Sequence, residues 1–283
     1  MTTPAPAVDP SHLEKHIAFI GGGNMGAALA TGLLARGWQA DHLRILEPLA
    51  ARREWLTQHL QVRATDTPSV ALDRADAIVL AVKPQYLKEA VAPLQIKPGT
   101  LVLSIAAGIR LASLRQWLGD GPRLVRCMPN TPALVGAGAA ALCAAPDTPA
   151  EQRALAQALI SAVGVCCWVE DEARIDAVTA LSGSGPAYFF LLAEAMEAAG
   201  VALGLSADAA ALLARQTLIG AGQLVAAEST PLAELRARVT SKGGTTAAAL
   251  EDFARHDFRG AVADAMTAAR NRSRELGAPT TGH

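Results

Sequence analysis

HIAFIGGGNMG, residues 16–26, is the stretch on which the reading of this chain turns. Its apolar run IAFI is of the kind buried as a strand in a parallel sheet. The run meets Gly21, Gly23 and Gly26 at G-x-G-x-x-G spacing, and AALATGLLARG follows at helical period. Strand, glycine turn and helix in that order separate a dinucleotide-binding fingerprint from a chance match. The first glycine permits the tight turn, the second lets the backbone approach a pyrophosphate, and the third lets helix and strand pack closely. The helix N-terminus then offers free N–H groups and a positive dipole end to the phosphates. A plain glycine turn in a βα unit is the bland alternative, and the flanks weigh against it.

The rest of the composition fits that start. A chain of 283 residues, 51% hydrophobic and 18% charged, has the material for one large core or two ordinary ones. A net charge of -1 argues against binding nucleic acid by phosphate neutralisation. The four cysteines, Cys127, Cys143, Cys166 and Cys167, form no C-x-x-C pair and have no histidine at ligand spacing. They are expected as buried apolar thiols in a reducing compartment, with no metal site. MTTPAPAVDPS has neither a basic region nor an apolar core and is expected to be a frayed tail. No run reaches the roughly 18 consecutive apolar residues of a membrane helix. The expectation is a soluble cytoplasmic protein that binds no membrane.

Past the first helix, HLRILEP is a second strand ending at Glu47. An acid roughly 20 residues past the glycines is placed to accept the ribose hydroxyls of NAD. Arg52 and Arg53 follow on the next helix, and either can reach a 2′-phosphate, so the signal between NADH and NADPH is mixed. LQVRATD, AIVLAV, TLVLSIAAG and RLVRCMPNTP read as further strands, with helices such as 86–92 and 111–118 between them. That alternation predicts a doubly wound parallel sheet, with ligands at the C-terminal strand ends. GAGAAALCAA and VCCWVE extend or edge the same sheet around a helix at 149–163.

Near residue 170 the period becomes helical. SGSGPAYFF opens a helix that is apolar nearly all round and is therefore expected to be buried. Helices at 206–227, 231–239, 247–255 and 261–276 follow, with the loop TSKGGTT (240–246) before the third of these. Such a domain is expected to finish its core against a second subunit. The C-terminal half has one lysine, Lys242, and so offers no helical lysine base of the kind hydroxy-acid dehydrogenases use. It offers hydroxyls instead, on Ser182, Ser184, Ser241, Thr245 and Thr246, and Gly243-Gly244 as an anion nest for a carboxylate. That site suits an already activated substrate such as a protonated imine.

IGGGNMG, AVKPQ, SIAAGI, RCMPNTP, DAVTALSGSGPAYFF and VTSKGGTTAAAL, in this order and spacing, resemble pyrroline-5-carboxylate reductase over about residues 16–275. The resemblance implies reduction of 1-pyrroline-5-carboxylate to L-proline by NADPH or NADH, the last step of proline synthesis. It implies an N-terminal Rossmann-type α/β domain and an all-α C-terminal dimerisation domain that interlocks with its partner, often within a decamer. In the family the active site lies at the dimer interface. The expected division is a disordered tail at 1–14, a dinucleotide domain at 15–169 and a helical dimerisation and substrate domain at 170–283.

By position, Gly21, Gly22, Gly23, Asn24, Met25 and Gly26 match the pyrophosphate turn, and Glu47 is the ribose candidate. Ala81, Val82, Lys83 and Pro84, with Ser104, Ala106 and Ala107, match the strands flanking the cofactor. Asn130 matches a residue near the nicotinamide. Ser241, Gly243, Gly244, Thr245 and Thr246 match the substrate loop, with Thr246 as the catalytic hydrogen-bonding residue, and Glu172 matches an acid near the substrate. Two departures stand out. Many members have Pro at the position of Lys242, and many have Ser, Asn or Arg after the second strand, where this chain has Glu47-Pro48. A reductase of another cyclic imine or hydroxy acid, and a non-catalytic nucleotide sensor, remain the rival readings.

Overall fold

The computed structural model describes residues 9–278, in two compact units. The first comprises residues 9–183 and 270–278; the second is Ser184–Ala269. Residues 1–8 of the expected tail lie outside the described residues. From residue 9 that expectation is corrected, because α1 (Pro10–Leu13) is a helical turn. Its signal is legible in Asp9-Pro10-Ser11: the Asp9 carboxylate accepts from the Ser11 N–H at 2.9 Å, and proline holds the first helical position.

The first unit alternates strand and helix. In order it runs β1 (Ile17–Ile20), α2 (Asn24–Ala35), β2 (Leu43–Leu46), α3 (Ala50–Leu60), β3 (Arg63–Thr65), α4 (Pro68–Leu72), β4 (Ala77–Leu80), α5 (Pro84–Val91), β5 (Leu101–Ser104), α6 (Leu111–Leu118) and β6 (Arg123–Met128). Then follow β7 (Gly138–Ala144), α7 (Ala150–Ser161), β8 (Gly164–Trp168) and α8 (Arg174–Val178). All eight strands form one sheet, in the order β3-β2-β1-β4-β5-β6-β7-β8.

Because β1 lies between β2 and β4, the winding reverses there, and the crevice opens at the C-terminal ends of β1 and β4. Successive side chains of a strand alternate faces. Ile17 and Phe19 join the core that includes Leu29 and Leu33 of α2, while Ala18 and Ile20 join the opposite core with Leu87 of α5.

The expected parallel sheet is corrected at one junction, where β7 runs antiparallel to β6. The connection from Pro129 to Ala137 holds only a 3-10 turn, Thr131–Val135. It is too short for the crossover a parallel pair needs, which takes a dozen or more residues.

A buried polar seam closes the unit. Arg126 on β6, its side chain 3% exposed, donates to Glu172 Oε1 at 2.9 Å. The same oxygen accepts from the Leu111 N–H that opens α6, at 2.8 Å. Asp176 of α8, also buried, accepts from Ser273 Oγ at 2.7 Å, and Arg110 Nε donates to the Gly277 carbonyl at 2.8 Å. These bonds tie residues 270–278 into the sheet unit. The compactness division therefore falls at 183/184, and the chain's last described residues fall with the sheet, not with the helices, as the expected 170–283 domain has it.

The second unit holds α9 (Gly185–Ala202), α10 (Ala207–Ala227), α11 (Leu232–Arg238), α12 (Thr245–Arg255) and the first part of α13 (Phe258–Leu276). Pro186 occupies the first turn of α9, and Ser206 Oγ caps α10 by accepting from the Ala209 N–H. Among the described residues of this unit only Gly185, Ala210 and Ala214 are buried. Phe189, Phe190, Leu191 and Leu212 are each more than half exposed. The expectation that α9 is buried is therefore corrected for the single chain: its apolar girth faces outward. Arg174–Ala202 and Ala207–Ala227 are long and apolar enough, by length and composition alone, to cross a membrane, although neither holds 18 consecutive apolar residues. An open apolar surface on this scale marks an interface.

Replacing Arg126 by Ala strands the Glu172 carboxylate beside an emptied buried site. Loss of about 2–4 kcal/mol is expected by chemical denaturation, toward the low end for a buried pair because Glu172 keeps partial solvent contact. A change within about 0.5 kcal/mol, typical of surface sites, would contradict the structural weight given to this seam.

Candidate active site

The glycine turn is built by contact. Gly21 has φ 101°, and a Cβ there would press on the Ala81 carbonyl at the end of β4. A Cβ on Gly26 would run into the Gly21 carbonyl oxygen, so the third glycine lets α2 sit against its own entry turn. Gly23 differs: a Cβ there meets nothing within 4 Å. It faces open space and N-caps α2 with no side-chain bond, so the first-turn N–H groups of Asn24 and Met25 lack a side-chain cap. An uncapped helix N-terminus beside open space fits a pyrophosphate.

The neighbouring strand ends stand beside this turn. The Ala81 N–H donates to the Ile20 carbonyl at 2.8 Å, and the Ile105 N–H donates to the Leu80 carbonyl at 3.2 Å. Val82 is half-buried, Lys83 is exposed, and Pro84 starts α5. Ser104 is fully buried and its Oγ lies 3.4 Å from the Ala106 N–H, so the hydroxyl supports the strand end, while Ala107 is exposed.

Three predicted residues are committed elsewhere. Glu47 is 7% exposed, and its two oxygens accept from the Gly22 N–H at 2.9 Å and the Leu49 N–H at 3.1 Å. Asn130 Nδ2 donates to the Ser182 carbonyl at 3.0 Å, while its Oδ1 accepts from the Ala139 N–H at 2.8 Å. Its amide thus clips the β6–β7 connection to the segment entering the SGSGPAY motif. Glu172 serves Arg126 and the start of α6, as described above. Each of the three was picked out by spacing or by position in a motif, and backbone partners far away in sequence are invisible to such a reading.

Trp55 is the residue the sequence reading passed over. Its ring supports the Arg52 guanidinium at 4.2 Å, and Arg52 Nε donates to the Gly22 carbonyl at 2.6 Å. The three-residue spacing of Arg52 and Trp55 on a helix was the available signal. Of the thiols, Cys127 and Cys143 are buried, and burial pushes both up from the ordinary thiol range. Cys167 is exposed, which corrects the expectation of four buried thiols. Among the described residues no group of three His, Cys, Asp or Glu is arranged to hold a metal ion.

The second unit carries the other predicted loop. The Gly244 N–H donates to the Ser241 carbonyl at 3.0 Å, closing a tight turn in which Gly243 takes φ 70°. Gly244 N-caps α12 without a side-chain bond. The helix starts at Thr245, not at 247 as the sequence reading has it, so Thr245 and Thr246 lie in its first turn. Ser241, Lys242, Gly243 and Thr245 are exposed, and Thr246 is half-buried. Free N–H groups, a positive helix end and adjacent hydroxyls can bind a carboxylate.

Residues 172–276 match the family description "Pyrroline-5-carboxylate reductase dimerisation", and residues 16–108 match "NADP oxidoreductase coenzyme F420-dependent". The pyrroline-5-carboxylate reductase of Pseudomonas aeruginosa is 49% identical over 263 residues, covering 92% of this chain and 96% of that protein. The chain belongs to the pyrroline-5-carboxylate reductase family. A solved pyrroline-5-carboxylate reductase from Coxiella burnetii superposes with TM-score 0.89 at 36% identity, covering 94% of this chain and 99% of that one. The Plasmodium falciparum enzyme, solved with NADP bound, gives TM-score 0.78 at 29% identity over 94% of this chain and 99% of its own.

This reductase therefore converts 1-pyrroline-5-carboxylate to L-proline with NAD(P)H, and its helical unit is a dimerisation domain. The outward apolar faces of α9 and α10 lie within the residues that match the dimerisation model. The rival readings, a reductase of another cyclic imine or hydroxy acid and a non-catalytic nucleotide sensor, fall with this match.

If the glycine turn is the dinucleotide clamp, Gly26→Ala forces α2 off the Gly21 carbonyl. The variant is expected to lose about 1–3 kcal/mol of stability by overpacking and at least roughly tenfold in dinucleotide affinity by titration calorimetry. Wild-type affinity in this variant would remove the turn from the site.

Proposed function

We propose that residues 21–26, 81–84 and 104–107 line the dinucleotide crevice, and that Ser241–Thr246 hold the substrate carboxylate. The observation that carries the second half is the uncapped start of α12 behind the Gly243 turn. Backbone N–H groups at a helix start bind anions without the desolvation cost of burying a lysine. Thr246, half-buried in that first turn, donates or accepts a hydrogen bond at the ring nitrogen. Lys242, exposed beside it, adds long-range attraction for the carboxylate.

NADPH or NADH supplies the hydride. It adds to the C=N carbon of the cyclic iminium, the π pair passes to nitrogen, and the product is the neutral ring amine, which takes a proton from solvent. Such a step asks the protein chiefly for orientation and charge placement. Asn130, Glu47 and Glu172 hold the surrounding backbone and, on this reading, do not touch substrate.

We further propose a homodimer with interlocked helical domains, assembled to a decamer in the cytoplasm, with no nucleic-acid partner. All four cysteines are unpaired, which agrees with a reducing compartment, and the near-zero net charge agrees with a small-molecule substrate.

Thr246→Ala is expected to lower turnover by roughly 10- to 100-fold, the scale of a hydrogen bond to a charged group. Dinucleotide affinity in the same protein is expected to stay within about twofold, because the loss falls on the chemical step. Wild-type turnover would remove Thr246 from the mechanism. An equal loss of cofactor binding would show that the loop acts through folding instead.

A further inference from the structure

We infer that this reductase selects the 2′-phosphate of NADPH through Arg52, and that Glu47 is a positioning residue for the glycine turn and not a ribose acceptor. The inference rests on the reading of residues 21–26 as the dinucleotide crevice.

An acid at the end of the second strand ordinarily takes the ribose hydroxyls of NAD and, by its charge, repels a 2′-phosphate. Glu47 sits at that position, but its environment assigns it another task. Each carboxylate oxygen already holds a backbone N–H, from Gly22 on one side and Leu49 on the other. The residue is 7% exposed, and a Cβ on Gly22 would lie 3.3 Å from Oε2. The carboxylate therefore faces inward, fastening the turn between β1 and α2 to the start of α3. Turning it toward a ribose would orphan two N–H groups, one of them in the turn itself.

Arg52 is arranged in the opposite way. Its Nε donates to the Gly22 carbonyl at 2.6 Å, and its central guanidinium carbon lies over the Trp55 ring, 4.2 Å from the centroid. Trp55 is in turn stacked on His59, with ring centroids 4.5 Å apart. One edge and one face of the guanidinium are thus held. The two terminal nitrogens have no hydrogen bond or ion pair with any described residue. Arg53 is spent: it donates to the Glu47 and Pro48 carbonyls and pairs with Asp66 at 2.9 Å.

A fixed guanidinium with two free nitrogens suits a phosphate, which it binds bidentately. It stands on the first turn of α3, beside the glycine turn and past the end of β2, where an arginine accommodates a 2′-phosphate. One residue of the glycine turn, Gly22, gives its N–H to Glu47 and its carbonyl to Arg52. The acid sets the turn and the turn aims the base.

The test is titration calorimetry of NADPH and NADH into the assembled wild-type enzyme and into Arg52→Gln, Arg52→Lys, Glu47→Gln and Gly23→Val. Wild type is expected to bind NADPH more tightly than NADH. Arg52→Gln is expected to lose that preference by on the order of 10- to 100-fold, the scale of charge-assisted hydrogen bonds. Arg52→Lys is expected to keep part of it, since the charge stays while the Gly22 bond and the fork are lost.

Glu47→Gln is expected to weaken both dinucleotides alike and to lower the melting temperature, leaving the ratio unchanged. A selective loss of NADH in that variant would restore Glu47 as a ribose ligand and overturn the inference. An unaltered ratio in Arg52→Gln, or a wild-type preference for NADH, would overturn it as well. Gly23→Val tests the underlying reading separately. Undiminished binding of both dinucleotides there would move the crevice itself, whatever Arg52 does.

Discussion

The sheet unit depends on one steric constraint, the approach of α2 to the turn that feeds it. Gly26 must lie where a methyl group would strike the Gly21 carbonyl, and Gly21 must turn with positive φ against the end of β4. Once those contacts are made, the start of α2 points its unpaired N–H groups over open space at Gly23. The open helix start is thus a by-product of tight packing between backbone segments, which the missing side chains of Gly21 and Gly26 allow. Gly22, between them, is held by its N–H and its carbonyl, so the whole turn is fixed from both sides of the peptide chain.

How much of this was legible depends on distance along the chain. IAFI and AIVL announce their strands because every side chain in them is buried on one face or the other. Asp9-Pro10 announces a helix start as plainly, although the composition around it is that of a tail. The antiparallel turn of β7 follows from the short Pro129–Ala137 connection, a loop-length argument open to the sequence. The roles of Glu47, Asn130 and Glu172 were not open to it. Their partners, Gly22, Ser182 and Arg126, lie many residues away, and motif spacing carries no information about them. Motif matching is blind to the difference between a residue that touches a ligand and one that holds the backbone that does.

The helical unit illustrates a different limit. Its periodicity gave the helices, and SGSGPAYFF gave the start of the most apolar one, but an apolar helix is buried only if something lies against it. Within one chain α9 and α10 bury little more than Gly185, Ala210 and Ala214. The same composition that passes for a membrane span is explained by membership of a family whose C-terminal half is a dimerisation domain. A dimerisation domain with so little buried within one chain links the folded state of its helices to association.

Amide hydrogen exchange on the assembled enzyme, with and without saturating NADPH, tests the central claim most directly. The account predicts slower exchange at the N–H groups of residues 23–25, the free donors at the start of α2, when the cofactor is bound. Unchanged rates at those amides, with protection appearing elsewhere on the sheet unit, would contradict it.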